Sequence, residues 1–367
     1  MLRFLTAGES HGPSLTVILE GLPAGLFIDK EEINKQLVRR QMGYGRGGRM
    51  KIEKDEIEIT GGIRKGYTLG SPLCMNIKNR DWKNWREKWD NGEPILSPRP
   101  GHADLSGAIK YGHSDLRNVL ERASARETAA RCAVGCICKG FLSNFGIDVL
   151  GYVIAIGKIR AKRSPKTYAE INGSPLFCAD SIKEKLMIKE IDKASENGDT
   201  LGGVFEIKAI GVPVGLGSYV HWDRRLDSLL AFALMSIPGI KGVEIGLGFE
   251  AAKRFGSKVH DEIFYKNKFY RKTNNAGGIE GGVSNGEPII IRCAMKPIPT
   301  LKKPLCSINI ETKEKTKAVV ERADVCAVPS ASFIGEAMTA FIIANAFLER
   351  YGGDNMKQIE KRFKNEG

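Results

Sequence analysis

The chain has 367 residues, 56 Lys and Arg against 43 Asp and Glu, a formal net charge of +13, and 42% apolar residues. That composition belongs to a folded chain with enough apolar mass for a large core, and it excludes disorder as the main state. Its uninterrupted apolar stretches, such as Phe341 to Phe347, fall well short of the about 18–20 residues of a membrane span. The cationic excess calls for anionic partners: nucleic acid, an acidic membrane surface, or small phosphates and carboxylates.

In chain order, the N-terminus MLRFLTAGESHG lacks an apolar segment with a cleavage site, so the expected compartment is the cytosol. It runs straight into Gly8-Glu9-Ser10-His11-Gly12. Leu15 to Leu19 is a β-branched run between glycines and predicts a strand. Asp29 with Glu32 opens a helix ahead of Ile33 and Leu37, in the manner of a capping box. Behind it, RRQMGYGRGGRMK (39–51) sets Arg40, Arg46 and Arg49 among glycines, so guanidinium forks and free backbone N–H groups occur together. An ordered phosphate or carboxylate site is expected there, with a single-stranded nucleic-acid tract as its rival. Ile52, Ile57 and Ile59, with charges between them, predict a half-buried antiparallel strand. Three Trp within 79–89 make either a surface-binding helix or a short segment docked on the body.

Of the five histidines, His11 and His102 sit beside glycine, the latter in Arg99-Pro-Gly-His-Ala-Asp104. Glycine lets the backbone approach a ligand, and imidazole is the natural proton donor near neutral pH. Long helices are predicted from about Arg122 to Phe145, closed by Gly146, and from about Phe333 to Tyr351, closed by Gly352. Cys132, Cys136 and Cys138 fall on the first, with no histidine nearby. They read as a packed helix face rather than a metal site, and the eight cysteines as reduced thiols.

The chain also matches itself. Residues 8–26 align with 198–216 without a gap, the Gly62, Gly66, Gly70, Pro72 pattern recurs at Gly278, Gly282, Gly286 and Pro288, and Glu121-Arg-Ala-Ser124 recurs as Glu321-Arg-Ala-Asp324. Three matches in one order imply two homologous halves of a single domain, about 1–150 and 198–350. The long helices are apolar on more than one face and belong in the centre, with alternating strands outside them. The expected architecture is α+β, a β-α-β sandwich with a helical core between two antiparallel sheets. A plain two-domain α/β arrangement stays open on pattern alone. Arg122, Arg126 and Arg322 lie near helix starts, where the dipole favours anions. Their duplicate positions suggest a site at the pseudo-twofold contact, one face from each half. Asp324, a lone carboxylate in basic surroundings, is expected to stay ionised there.

The motifs GESHG (8–12), RRQMGYGRGGRM (39–50), 99–135, GGIEGGVSNGEPI (277–289), KPIPT (296–300) and 321–338 occur in this order over almost the whole chain, which resembles the chorismate synthase family. The resemblance implies a carbon–oxygen lyase of the shikimate pathway. It performs an anti-1,4-elimination of phosphate and a ring hydrogen from 5-enolpyruvylshikimate-3-phosphate, requiring reduced FMN without net redox change. It implies His11 at the leaving phosphate, His102 protonating or balancing the flavin, and Asp324 relaying the ring hydrogen near flavin N5. Substrate binding falls to Ser10, Arg40, Arg46, Arg49, Arg99, Arg126 and Arg322. Flavin contacts fall to Arg122, Ala123, Ser124, Pro238, Gly239, Gly281, Lys296, Pro297, Ile298, Pro299, Thr300 and, again, Arg322. Ala123, Pro238 and Gly239 differ from the side chains of some relatives, so those contacts carry over only through backbone. The resemblance further implies a homotetramer in the cytoplasm. Some relatives reduce their own flavin with NADPH and carry longer insertions; this compact chain resembles those served by an external flavin reductase. The rivals are a nucleic-acid-binding protein and a flavin reductase, and no Gly-x-Gly-x-x-Gly follows a strand to support the second.

Overall fold

A computed structural model describes residues 1–48 and 52–366. The first half builds a four-stranded antiparallel sheet in the order Arg3–Ala7, Ser14–Glu20, Leu73–Lys78, Ile57–Gly61. A five-stranded sheet in the order Ile159–Arg160, Asp148–Ile156, Gly203–Ile210, Ile289–Met295, Ile240–Ile245 belongs to the second half, and its first two strands lie ahead of residue 198, where sequence matching placed the start of that half. Without its two-residue edge strand, the second sheet repeats the strand order of the first.

The match extends to hydrogen bonds. A small hairpin, Ile63–Arg64 with Tyr67–Thr68, recurs as Ile279–Glu280 with Val283–Ser284. Gly62, Gly66 and Gly70 have φ of +89°, +81° and +83°, and Gly278, Gly282 and Gly286 have +81°, +87° and +89°. Side chains rarely tolerate that region, which accounts for the repeated glycines. Thr68 Oγ1 donates to the Pro23 carbonyl at 2.6 Å and accepts from Leu26 N–H at 2.9 Å. Ser284 Oγ donates to Pro213 at 2.6 Å and accepts from Leu216 N–H at 2.8 Å.

The helices are α1 (Lys30–Gln41), α2 (Trp82–Asn91), α3 (Asp104–Tyr111), α4 (Arg117–Ala123), α5 (Thr128–Ser143), α6 (Ser181–Glu196), α7 (Leu226–Met235), α8 (Val328–Tyr351) and α9 (Met356–Glu366). The Asp29 side chain caps α1 by accepting from the Glu31 and Glu32 N–H groups. Helices α5 and α8 pack on each other in the middle, α5 against the four-stranded sheet and α8 against the five-stranded one. Small residues keep this layer thin. A Cβ on Gly135 would lie 2.2 Å from Ala337 Cβ, and one on Gly335 would lie 2.6 Å from the Phe205 ring. The fold is therefore the expected sandwich, with one apolar core running through its helical layer.

Three sequence expectations change. Helix α8 begins at Val328, five residues early, because Pro329 suits a first helical turn. By length and composition α8 alone among the described helices is long and apolar enough to cross a membrane, but 89% of its most apolar window is buried inside the protein. The helix expected from Arg122 is broken: Ser124 is extended (φ −66°, ψ 141°), and a single 3₁₀ turn separates α4 from α5. There Ser124 Oγ accepts from Arg126 N–H at 3.3 Å, a local bond that competes with helix continuation. Finally, the strand expected over 52–59 is confined to Ile57–Gly61, and Glu53 and Asp55 are buried instead of facing solvent. Cys132 and Cys136 pack on α5, where burial pushes both thiols up to about 12.

Candidate active site

A cavity of about 420 Å³ opens where the two halves meet. The first half contributes the turn at Ser10 and His11, the end of α1 with its following loop, the turn 99–103 and the break between α4 and α5. The second contributes 237–239, 295–300 and the start of α8 with the segment before it. The lining combines apolar side chains, Leu120, Ile237, Met295, Ile298, Ala331 and Ile334, with the basic set Arg40, Arg46, Arg99, Arg126 and Arg322.

The break in the helix puts Ala123, Ser124 and Arg126 on the cavity surface, and Ser10 Oγ donates to Ser124 Oγ at 3.0 Å. His11 is 7% exposed. Its Nδ1 lies 2.8 Å from Glu121 Oε1, and its backbone N–H donates to Glu121 Oε2 at 2.7 Å. The ring stacks on Trp85, centroids 4.0 Å apart.

Two buried guanidiniums share one carboxylate. Arg126 donates from Nη1 to both oxygens of Asp55, at 2.6 and 2.8 Å, and from Nε to Asn79 Oδ1 at 2.8 Å. Arg40 Nη1 lies 3.5 Å from Asp55, while its Nε donates to Thr128 Oγ1 at 3.1 Å. Burial lowers the pKa of Arg40 from the ordinary arginine value, with Asp55 opposing the shift. Arg40 Nη1 and Arg126 Nη2 are buried and make no hydrogen bond among the described residues, though Glu53 lies 3.8 Å from Arg126 Nη2.

Arg99 grips Asp104 with two bonds, Nε to Oδ2 at 2.8 Å and Nη2 to Oδ1 at 3.0 Å, and donates from Nη1 to Thr300 Oγ1 at 2.8 Å. His102 Nδ1 lies 2.6 Å from Asp104 Oδ1. Burial raises the Asp104 carboxyl, but hydrogen bonds from His102 and Arg99 outweigh it and hold the group well below the usual carboxylate range. Lys296 Nζ donates to the Gly101 carbonyl, tying 296–300 of the second half to the first. Asp324 Oδ1 accepts from Gly47 N–H at 2.6 Å and Oδ2 pairs with Arg46. A Cβ on Gly47 would lie 2.7 Å from the Ala323 carbonyl, so only glycine permits this approach. Arg322 Nη2 donates to Asp81 Oδ2 at 2.9 Å.

Ser10, His11, Arg40, Arg46, Arg99, His102, Ala123, Ser124, Arg126, Pro238, Gly239, Arg322, Asp324 and the run Lys296–Thr300 thus line one cavity. Arg122 does not: its guanidinium turns back to the Thr6 and Gly8 carbonyls, at 2.9 Å each, because it lies on the outward side of α4. Gly281 lies in the turn of the Ile279–Ser284 hairpin, away from the cavity of its own chain. Arg49 lies outside the described residues. Sequence reading missed the carboxylates behind the basic wall: Glu53, Asp55, Asp81, Asp104 and Glu121. The one available signal was Glu121, which opens a duplicated motif.

The residues present fit FMN. Apolar lining suits a flat ring system, guanidinium groups suit its phosphate, and two buried cationic nitrogens, Arg40 Nη1 and Arg126 Nη2, have no hydrogen-bond acceptor among the described residues.

The model of the family described as chorismate synthase matches residues 2–348. The chorismate synthase of Syntrophotalea carbinolica is 57% identical over 372 residues, covering 98% of this chain and 96% of its own. That of Aquifex aeolicus is 57% identical over 383 residues, covering 99% and 96%. A solved structure titled "Crystal Structure of Chorismate Synthase" superposes with a TM-score of 0.81 at 46% identity, covering 100% of this chain and 97% of that one. With a matching family model, relatives of more than half identity along almost the full length, and a solved structure of the same fold, this chain belongs to the chorismate synthase family.

Proposed function

We propose that the basic cleft is where the chain performs the reaction of its family, and that its two halves, about 1–150 and 198–350, work as one unit around it. The reaction is the elimination of phosphate and a ring hydrogen from 5-enolpyruvylshikimate-3-phosphate to give chorismate, a lyase step of the shikimate pathway. The observation that carries this reading is the convergence of arginines from both halves, beside two Gly-flanked histidines, on one cavity. A substrate with a phosphate and two carboxylates requires such a wall.

Arg40, Arg46, Arg126 and Arg322 clamp the anionic groups, and Arg49, which lies outside the described residues, is assigned to the same task by the family resemblance. His11, fixed through Nδ1 by Glu121, presents Nε2 to the departing phosphate and holds the proton that phosphate takes. Asp324, kept in place by Arg46 and the Gly47 N–H, relays the ring hydrogen. Ala123, Ser124, Pro238, Gly239, Lys296–Thr300 and Arg322 would hold FMN, and His102, oriented by Asp104, would protonate it or balance its charge. When bound in reduced form, FMN supplies electron density that is returned within each turnover. Arg122 supports this wall from behind, through the backbone of the Gly8 turn.

The chain works as a homotetramer in the cytoplasm and receives reduced flavin from a separate reductase, without an NADP-dependent step of its own. Exposed Trp222, Phe232, Phe249, Phe255 and Phe269, within a short span of the second half, support a self-association surface.

The test is anaerobic. The full chain with 5-enolpyruvylshikimate-3-phosphate and chemically reduced FMN is expected to release chorismate and phosphate in equal amounts over many turnovers, and none with oxidised FMN. No product with reduced FMN would overturn the assignment. Product from oxidised FMN plus NADPH would overturn the external supply, and a monomer in sedimentation would overturn the tetramer.

A further inference from the structure

Two groups pack on His11: the buried Glu121 of α4 and the half-buried Trp85 of α2, one of the tryptophans of the 79–89 segment. Glu121 is 4% exposed and holds His11 twice, through the ring and through the backbone N–H. An ionised carboxylate only accepts, so both contacts require His11 to donate, and Nδ1 carries a proton in the neutral as well as the charged ring. The ring nitrogen that exchanges its proton is therefore Nε2. Because the Glu121 bonds are the same before and after that exchange, the ring need not reorient during turnover.

Trp85 covers one face of the imidazole at 4.0 Å between centroids, an interplanar angle of 27°. A π face over a ring favours its cationic form and keeps water off that side. Arg117, one turn before Glu121 on α4, completes the arrangement. Its Nη1 lies 3.8 Å from Glu121 Oε1, is buried without a hydrogen bond, and its guanidinium sits 4.9 Å from the Trp85 ring. Arg117 sets a cation beside Glu121 at longer than hydrogen-bond distance, which leaves both carboxylate oxygens bonded to His11. The other charged groups sharing the cavity with His11 are Arg40, Arg46, Arg99, Arg126, Lys296, Arg322, Glu321, Asp324 and His102. Within that largely cationic lining, Glu121 is the carboxylate in hydrogen-bond contact with His11.

We infer that Glu121 is the positioning residue of His11, acting with Trp85 to fix the ring as an Nε2 proton donor inside a cationic cleft. This rests on the role given above to His11.

The experiment compares His11→Ala, Glu121→Gln, their double variant and Trp85→Phe in the full chain with reduced FMN. Glu121→Gln is expected to lower kcat on the order of 10- to 100-fold, a part of what a positioned general acid contributes. KM and FMN affinity should move less than about twofold. The alkaline limb of kcat should shift to lower pH. Since Glu121 acts only through His11, the double variant should be no slower than His11→Ala alone. Trp85→Phe, which shrinks the stacking ring, should lower kcat by less than Glu121→Gln does, with FMN affinity again within about twofold. Multiplying losses in the double variant, or an unmoved pH limb in Glu121→Gln, would overturn the inference while leaving the cleft assignment standing. A fully active His11→Ala would instead overturn the role of His11 itself.

Discussion

Asp55 is the keystone of the basic wall, and Asp55→Asn tests it. The variant keeps the shape and one carbonyl acceptor but removes the charge facing Arg126 at 2.6 and 2.8 Å and Arg40 at 3.5 Å. A contact pair of this kind is worth about 4 kcal/mol at an effective dielectric of about 20. Removing one member of a buried pair costs about 3–5 kcal/mol. Glu53, at 3.8 Å from Arg126, retains part of the compensation and keeps the expected loss near the middle of that range. At about 2.1 cal/mol/K per residue, unfolding a chain of 367 residues carries roughly 0.8 kcal/mol/K, so a loss of about 4 kcal/mol lowers Tm by roughly 5 °C. Scanning calorimetry of the full chain at neutral pH reads this directly. Added inorganic phosphate should recover more Tm in the variant than in the parent, because the unmatched guanidiniums then have an anion to bind. A fall of less than about 1 °C, or equal recovery by phosphate in both proteins, would show that Asp55 is not what holds the two arginines in place.

Two further outcomes follow from the packing and the ionisation. Gly135→Val places a branched side chain where a Cβ already lies 2.2 Å from Ala337 Cβ, so it should cost several degrees of Tm or the soluble protein altogether. Gly140→Ala on the same helix meets nothing within 4 Å and should hold or raise Tm; equal behaviour of the two variants would contradict the close helix contact. Asp104 has its carboxyl held below the ordinary range in the folded chain, so its contribution is full above about pH 5 and fades as pH falls below about 4. Asp104→Asn lacks that contribution throughout. Its deficit against the parent in acid-unfolding curves should be largest at neutral pH and shrink towards acid; a constant deficit would count against the sign.

Much of the site was readable because it is built from residues that stand out: histidines beside glycine, and arginines spaced by glycine. The duplication was readable for a similar reason, since Gly62, Gly66 and Gly70 and their counterparts occupy backbone conformations that few other residues adopt. The carboxylates behind the arginines were not. Glu53 and Asp55 share the odd positions of Ile57 and Ile59, the inward face of that alternation, but the charges around them read as solvent-facing, and nothing in the pattern names a buried guanidinium 71 positions away as the partner of Asp55. The break at Ser124 was hidden because the residues on both sides favour helix, and a single side-chain bond to Arg126 N–H decides the matter. Arg122 shows the opposite error. Its neighbours belong to the cleft, but helical geometry turns it outwards.

The internal match between the halves has a genetic consequence. Ser10 and His11 align with Thr200 and Leu201, and Ser124 with Asp324. Where the first copy has Ser10 and His11 at the cleft, the second has Thr200 donating to the Ile298 carbonyl and Leu201 donating its N–H to the Val325 carbonyl. A dimer made from one short gene would have to encode histidine and leucine at the same codon, and would carry two identical half-equipped clefts. Joining the copies end to end frees each codon to diverge from its twin. One copy can then specialise in holding the proton donor and the other in holding the acid, and selection acts on a single asymmetric cleft instead of compromising between two.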